Sequence, residues 1–411
     1  MLMSNEQTKR GSVENMAADR YEKTLKLAVE ALELPESAYE KAISRYQDLG
    51  AWFGRPESSI DANDPHVFAQ GSFALGTAIR PLLDGESYDL DLACKLRTGV
   101  TKATHSQYNL KQMVGKELES YREARRISCP LEEKHRCWRL EYQDGLSFHM
   151  DVVPCIPTDL GYRQQLTAAL ESRGLDKALA STVADDSVNI TDDRAPNYRV
   201  RDLSWQVSNP EGYIEWFKSR QLGEGLMGLV EARAQVEDVP LYRRKTHLQR
   251  CIQLLKRHRD LMFKANSESK PISIIITTLA ARGYTGSPAL AGAMDQVLQS
   301  LIDFRASNSN EVLNPANPSE NFADRWFTPE GQCLHLKENF HLWVRQAAID
   351  IPRLGDLVNS TELSEQLEDK LGVRFSATTL ESKVGLQNAA SIIQAPHVHI
   401  PQDAPRPWGR D

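Results

Sequence analysis

"QGSFALGTAIRPLLDGESYDLDLACKL", Gln70–Leu96, sets a Gly-Ser pair a short distance ahead of two aspartates spaced one residue apart. In "YDLDLACKL" the residues alternate, so a strand here would carry Asp89 and Asp91 on one face and Leu90 and Leu92 on the other. Acids at i and i+2 on a strand flanked by core residues make poor sense as a solvated edge. They make good sense as a cation site, because magnesium takes a few carboxylates, substrate oxygens and water. "VFAQGSF" reads as a preceding strand that stops at the glycine. Gly71 would let the backbone approach a ligand closely. Ser72 and the following amides would bind phosphate oxygens, with "ALGTAIRP" as the short helix receiving a triphosphate.

Working outward, "HSQYNLKQMVGKELESYREA" places Leu110, Met113, Val114, Leu118 and Tyr121 at helical spacing. "RCWRLEYQ" and "LSFHMDVVPCIP" then read as two strands joined by Asp144-Gly145, a hairpin signal. In the second, Phe148, Met150 and Val152 share a face, leaving His149, Asp151 and Val153 on the other. If that strand lies beside the DLD strand, Asp151 becomes a third carboxylate able to polarise an attacking hydroxyl. Three clustered anions imply a metal, since without a cation they repel one another. The order strand, strand, helix, hairpin predicts a mixed α+β unit and not a regular βαβ sheet.

Residues 13–49 read as helical, followed by the turn-rich "GRPESSIDANDPH". From about Trp205 strand signals fade and helical periods dominate, with Leu248, Cys251, Ile252, Leu255 and Met262 along one stripe. The same segment is strongly basic, and two readings of Lys256, Arg257 and Arg259 compete: one solvated helix face, or a phosphate site. The domain expectation is therefore 1–55 as helices packing on the core, 56–205 as the catalytic core, 206–395 as a helical lobe closing over nucleotides, and 396–411 as a Pro-rich tail.

The chain's 411 residues, 41% hydrophobic and 26% charged, are those of an ordinary globular protein with room for several domains. A net charge of −7 disfavours a long nucleic-acid partner, and no apolar run reaches the ~20 residues of a membrane span. The start lacks the apolar core of a signal peptide, and the six scattered cysteines fit reduced thiols in a cytoplasmic protein. Cys129, His135 and Cys137 lack a fourth zinc ligand at recognisable spacing. Tyr213, Trp216 and Trp326 read as core aromatics, and Arg80 as a cap for the short helix or a partner of Asp84.

"GS" followed by "DLD" and a later "HMD" resembles the DNA polymerase β-like nucleotidyltransferase superfamily. "SNPEGYIEWF" (Ser208–Phe217) and "NPANPSENFADRW" (Asn314–Trp326) narrow the resemblance to the bacterial cGAS/DncV-like nucleotidyltransferases, over roughly residues 51–347. The resemblance implies a polymerase β-like core of mixed sheet and helices plus a mainly helical second lobe. It also implies an enzyme that joins nucleoside triphosphates, ATP among them, into a cyclic di- or trinucleotide messenger of anti-phage defence, releasing pyrophosphate.

Carried over by position, Gly71 and Ser72 would hold the donor triphosphate. Asp89 and Asp91 would hold two magnesium ions, for which manganese can substitute. Asp151 would join the catalytic metal and help activate the acceptor hydroxyl. Lys256 in "QLLKRHRD" and Ser273 in "KPISIIITTLA" would reach the triphosphate from the helical lobe. Relatives that answer to HORMA-like or tail-modifying partners make a regulatory protein partner part of the expectation, although "PWGRD" is a poor end for tail attachment. An RNA-tailing enzyme, a small-molecule or protein modifier, and an inactive binding scaffold on the same fold stay open as alternatives.

Overall fold

A computed structural model describes residues 2–82, 86–143, 147–221 and 245–386, with side chains from residue 16 onward. The Asp144-Gly145 turn, Asp84 and the 396–411 tail lie outside the described residues. In chain order the elements begin with helices α1 (Leu2–Leu32) and α2 (Glu36–Phe53), strand β1 (Pro65–Ala69), the one-turn helix α3 (Gly71–Ala74) and strand β2 (Tyr88–Leu96). Then come α4 (Gln107–Ala124), β3 (Glu132–Glu133), β4 (Trp138–Tyr142), β5 (Phe148–Pro157), α5 (Leu160–Ser172), α6 (Lys177–Asp185), β6 (Val188–Ile190), β7 (Gln206–Ser208) and α7 (Pro210–Gln221). The remainder is α8 (His247–Met262), α9 (Ser273–Gly283), α10 (Leu290–Ser307), β8 (Leu313–Asn314), β9 (Asn317–Asn321), α11 (Pro329–Cys333), α12 (Leu336–Asp356), α13 (Ser360–Leu371) and α14 (Ala377–Val384).

The main sheet runs β1-β2-β5-β4-β3, with β6 and β7 continuing from the far end of β5. β2 pairs parallel with β5, and every other pairing in this sheet is antiparallel. Alternation decides its faces. Leu90, Leu92, Leu140, Met150 and Val152 bury one face under Ala42 and Leu49 of α2 and Leu110, Val114 and Leu118 of α4. The acids of β2 and β5 are left on the opposite face. The α+β expectation and the helical character of the second half both hold.

A second core is mainly helical, with Leu248, Ile252 and Leu255 of α8 against side chains of α9, α10 and α12. Expecting both N-terminal helices on the catalytic core needs correction for α1. Its Tyr21, Leu25, Ala28, Val29 and Leu32 bury one stripe in the helical core, while α2 alone packs beneath the sheet. The physical reason is the break at residues 33–35, where Pro35 in extended conformation reorients the chain and lets the two apolar stripes face different partners. Helices α5 and α6 likewise send Leu166, Leu170 and Val183 into the helical core.

If α1 is an integral part of that core, Leu25→Ala should destabilise the protein by about 2–5 kcal/mol. Chemical denaturation of the full chain measures it. A loss well under 1 kcal/mol would show that α1 is peripheral.

Candidate active site

The register of β2 on β5 sets Asp91 opposite Asp151 and Asp89 opposite His149. Parallel strands with a period of two therefore bring the three sequence-expected aspartates onto one patch of the open sheet face. Asp89 is exposed, its side chain 70% accessible, with Nδ1 of His149 3.7 Å away. Asp91 is half-buried between its neighbours. Burial first, then the charges of Asp89 and Asp151, push its carboxyl up to about 7.

The Gly-Ser turn lies directly over it. Gly71 has φ +64°, and a Cβ at that position would sit 2.2 Å from Oδ2 of Asp91. Glycine is thus required twice, for its left-handed conformation and for the space Asp91 occupies. The backbone N–H of Gln70 donates to Asp91 O at 2.8 Å, stitching the turn to the strand. The expected helix over "ALGTAIRP" is absent: α3 is one turn at Gly71–Ala74, and Gly76, with φ +65°, ends it. Arg80 caps no helix there; its backbone N–H and guanidinium donate to the carbonyls of Leu32 and Glu33 at the end of α1.

Gly71, Ser72, Asp89, Asp91, Lys256 and Ser273 line one cleft of about 800 Å³ between the sheet and the helices. Lys256 is not on a solvated face. It is 7% exposed, and Arg257 and Arg259 beside it are 5% and 3% exposed. Nζ of Lys256 donates to Thr77 O at 2.9 Å. Burial, then the nearby Arg259, pulls its ammonium down to about 7, against the attraction of Asp260 and Asp91. Oγ of Ser273, in the first turn of α9, accepts from Arg259 at 2.8 Å. Arg259 in turn pairs with Asp260 at 2.7 Å.

Asp151 does not line this cleft. Arg139, directly across on β4, grips it with two hydrogen bonds of 2.7 Å, Nε to Oδ1 and Nη2 to Oδ2. This fork raises the Arg139 guanidinium pKa further. Reading the sequence missed Arg139. The alternation of "RCWRLEYQ" could have placed it on the acid face, but not opposite Asp151, because that depends on register. Among the described residues no three acidic, imidazole or thiol side chains already stand close enough to hold a metal ion. The donor set nevertheless suits a hard cation: Asp89 and Asp91 are free of any basic partner's fork, and Asp91 is crowded by anions.

A second pocket of about 250 Å³ opens on the other side of Gly71 and Asp91. It joins the two later motifs, with Ser208, Asn209 and Tyr213 from one and Asn314, Glu320 and Phe322 from the other. The motifs brace each other, because Nδ2 of Asn209 donates to Ala316 O at 2.9 Å and Nδ2 of Asn317 to Val207 O at 3.3 Å. Burial raises the pKa of Glu320, opposed by Asn314, which donates to Oε2 at 2.7 Å. Tyr213, Trp216 and Trp326 are buried, as expected of core aromatics, although Tyr213 also reaches this pocket.

The model of the nucleotidyltransferase domain of cyclic GMP-AMP synthase DncV-like proteins matches residues 65–154, which carry all three aspartates and the Gly-Ser turn. A c-di-GMP synthase of Roseivirga ehrenbergii is 29% identical over 316 residues, covering 75% of this chain and 74% of that protein. The cyclic dinucleotide synthase CdnG of Bradyrhizobium diazoefficiens is 26% identical over 366 residues, 85% of this chain and 80% of its own. A solved structure of CdnG from that species in complex with GTP has the same fold, with a TM-score of 0.62 at 22% identity over 88% of this chain and 97% of that one. So has CdnC of E. coli MS115-1, solved in a complex with HORMA-deltaN, with a TM-score of 0.55 at 15% identity over 86% and 98%.

Two outcomes follow from the crowding at Asp91. Its folded pKa lies above its unfolded one, so its contribution to stability is complete at low pH and is lost as pH rises through about 7. In chelator, Asp91→Asn should raise the melting temperature at about pH 8 and flatten the decline between about pH 4 and 7. An unchanged pH profile would refute the crowding. Gly71→Ala should leave the circular dichroism spectrum intact while forcing Asp91 aside, with nucleotide turnover down by about tenfold or more.

Proposed function

We propose that this chain, which belongs to the bacterial cGAS/DncV-like nucleotidyltransferases, joins nucleoside triphosphates into a cyclic dinucleotide messenger of anti-phage defence, with release of pyrophosphate. The observation that carries this reading is the parallel β2–β5 pairing, which puts Asp89, Asp91 and Asp151 on one sheet face, with Asp91 against Gly71 of the turn. Enzymes of this superfamily work with divalent cations. A pair of magnesium ions, when bound, neutralises phosphate charge and makes the acceptor hydroxyl a better nucleophile. Asp89 and Asp91 would hold them, with Asp151 as the third carboxylate.

The chain's own groups then divide the work. Ser72 and the amides of its turn bind the donor triphosphate from the sheet side, and Lys256 and Ser273 from the helical side. The acceptor hydroxyl oxygen attacks the donor's α-phosphorus. One phosphodiester bond forms, the bond to the pyrophosphate oxygen breaks, and the hydroxyl proton passes toward Asp151. A second transfer in the opposite sense closes the ring. Holding both nucleotides in one cleft makes the bimolecular step effectively unimolecular.

Guanine is the base that the second pocket suits. A carboxylate only accepts hydrogen bonds, and guanine offers two adjacent donors on its Watson–Crick edge, where adenine offers one donor beside an acceptor. Glu320, held by Asn314, supplies that acceptor pair. The relatives named for c-di-GMP and solved with GTP support the same choice.

The test is incubation with labelled GTP and ATP and magnesium without RNA, then phosphatase and mass spectrometry. A phosphatase-resistant, primer-independent dinucleotide containing guanine is expected, and the Asp89→Asn, Asp91→Asn double variant should make none. Product that appears only with an RNA primer would replace this reading with a tailing enzyme. Glu320→Gln should reduce discrimination for GTP over ATP by about tenfold, or roughly 1.4 kcal/mol. Unchanged discrimination would move base recognition elsewhere.

A further inference from the structure

The segment after the Gly-Ser turn, residues 75–81, has no regular secondary structure, so its carbonyls need partners from elsewhere. One helix supplies them. Gln249 Nε2 donates to Leu75 O at 2.9 Å, Lys256 Nζ to Thr77 O at 2.9 Å and Gln253 Nε2 to Ala78 O at 2.8 Å. Arg257 completes the row with bonds from Nη2 to Arg80 O and Pro81 O. These donors stand at i, i+4, i+7 and i+8 of α8, along one stripe of the helix. Beside that stripe, Leu248, Ile252 and Leu255 anchor α8 in the helical core.

The fit is specific at both ends of the stripe. Gln249 closes a capping box at the start of α8, its Oε1 accepting from the Thr246 N–H at 2.8 Å while its Nε2 holds Leu75. Gly76 has φ +65°, and a Cβ there would lie 2.4 Å from that same Nε2, so only glycine admits the approach. Gln253 is fully buried and its Oε1 has no hydrogen-bond partner among the described residues. An apolar side chain of that size would bury more cheaply in such a place. The amide is accounted for by its one bond to the segment. At the other end, Thr77 N–H donates to Ser72 O at 2.9 Å, so whatever holds residues 75–78 also holds Ser72.

We propose that Gln249 and Gln253 are positioning residues that dock the Gly71–Ser72 turn onto α8. They fix Ser72, on one wall of the cleft, against Lys256 on the other, and thereby set the affinity for the nucleoside triphosphate. The inference rests on the reading that this turn receives the triphosphate. It ties residues 75–81 to the helical lobe, while Gly71 stays against Asp91 of β2.

Gln253→Met keeps the side chain's size and removes its donor, and it tests the docking in the full-length protein. Backbone amide exchange over residues 71–81 should accelerate about tenfold without ligand. The KM for GTP should rise about three- to tenfold with kcat within about twofold, the signature of a contact made equally in ground and transition states. A merely structural role would lower the active fraction, and so the apparent kcat, without moving KM. Unchanged exchange over 71–81 would overturn the docking itself. Faster exchange with an unchanged KM would overturn the proposal through its premise, because the turn would then be docked but not seat the triphosphate. Should the Met variant fail to fold, Gln253→Leu removes the donor with an apolar side chain, and the same two readouts decide.

Discussion

Everything at the cleft answers to one constraint: Asp91 is a half-buried carboxylate flanked by Asp89 on its own strand and Asp151 on the next. Coulomb repulsion and desolvation act in the same direction there, which is why its carboxyl titrates near neutrality. The sheet imposes this arrangement through register, since a parallel β5 places Asp151 level with Asp91. A slip of one residue would turn both His149 and Asp151 into the apolar core on the other face. The hydrophobic face under α2 and α4 therefore holds the acids together as firmly as any contact among the acids themselves.

Around that constraint the chain arranges positive charge. Lys256 reaches in from the helical lobe, buried and bonded to Thr77 O, and Arg139 forks onto Asp151 from β4. The two cations behave differently. Lysine on a flexible stem can exchange a carbonyl for a phosphate oxygen with little rearrangement. A bidentate guanidinium–carboxylate pair is directional and holds Asp151 in one orientation. Under the proposed reaction, the placement of Asp151 is thus a property of β4 as much as of β5.

How much was legible beforehand follows from where each signal sits. The strand character of "YDLDLACKL", the hairpin strands and the helical second half are local patterns, and a period of two or of 3.6 is visible in one chain. That Asp89, Asp91 and Asp151 share one sheet face required one further assumption, adjacency of two strands, which the pairing satisfies. Arg139 was out of reach because its meaning depends on which residue lies across the ladder. The burial of Lys256, Arg257 and Arg259 was out of reach for a related reason. Charge on a helix suggests solvent until an irregular segment with unsatisfied carbonyls is known to lie against it. The split of α1 from α2 hinged on a short break that composition marks but cannot orient.

Those failures have a common form, and it bears on how the two lobes are joined. Apart from the α1–α2 break, each missed feature is a polar side chain of one lobe or strand satisfying a backbone or carboxylate group of another. Arg80 ties residues 80–81 to the end of α1, and α8 ties residues 75–81 to the helical core. On the far side, Lys95 of β2 and His66 of β1 both reach Glu211 at the start of α7. The sheet and the helices are thus joined on both flanks of the cleft by hydrogen bonds and ion pairs, while their apolar cores remain separate clusters. Polar joints are directional and exchangeable with water or ligand, whereas a shared apolar core is neither. A cleft that must admit two nucleotides and release a ring is better built across joints of the first kind, where partners can be exchanged one at a time without opening either core.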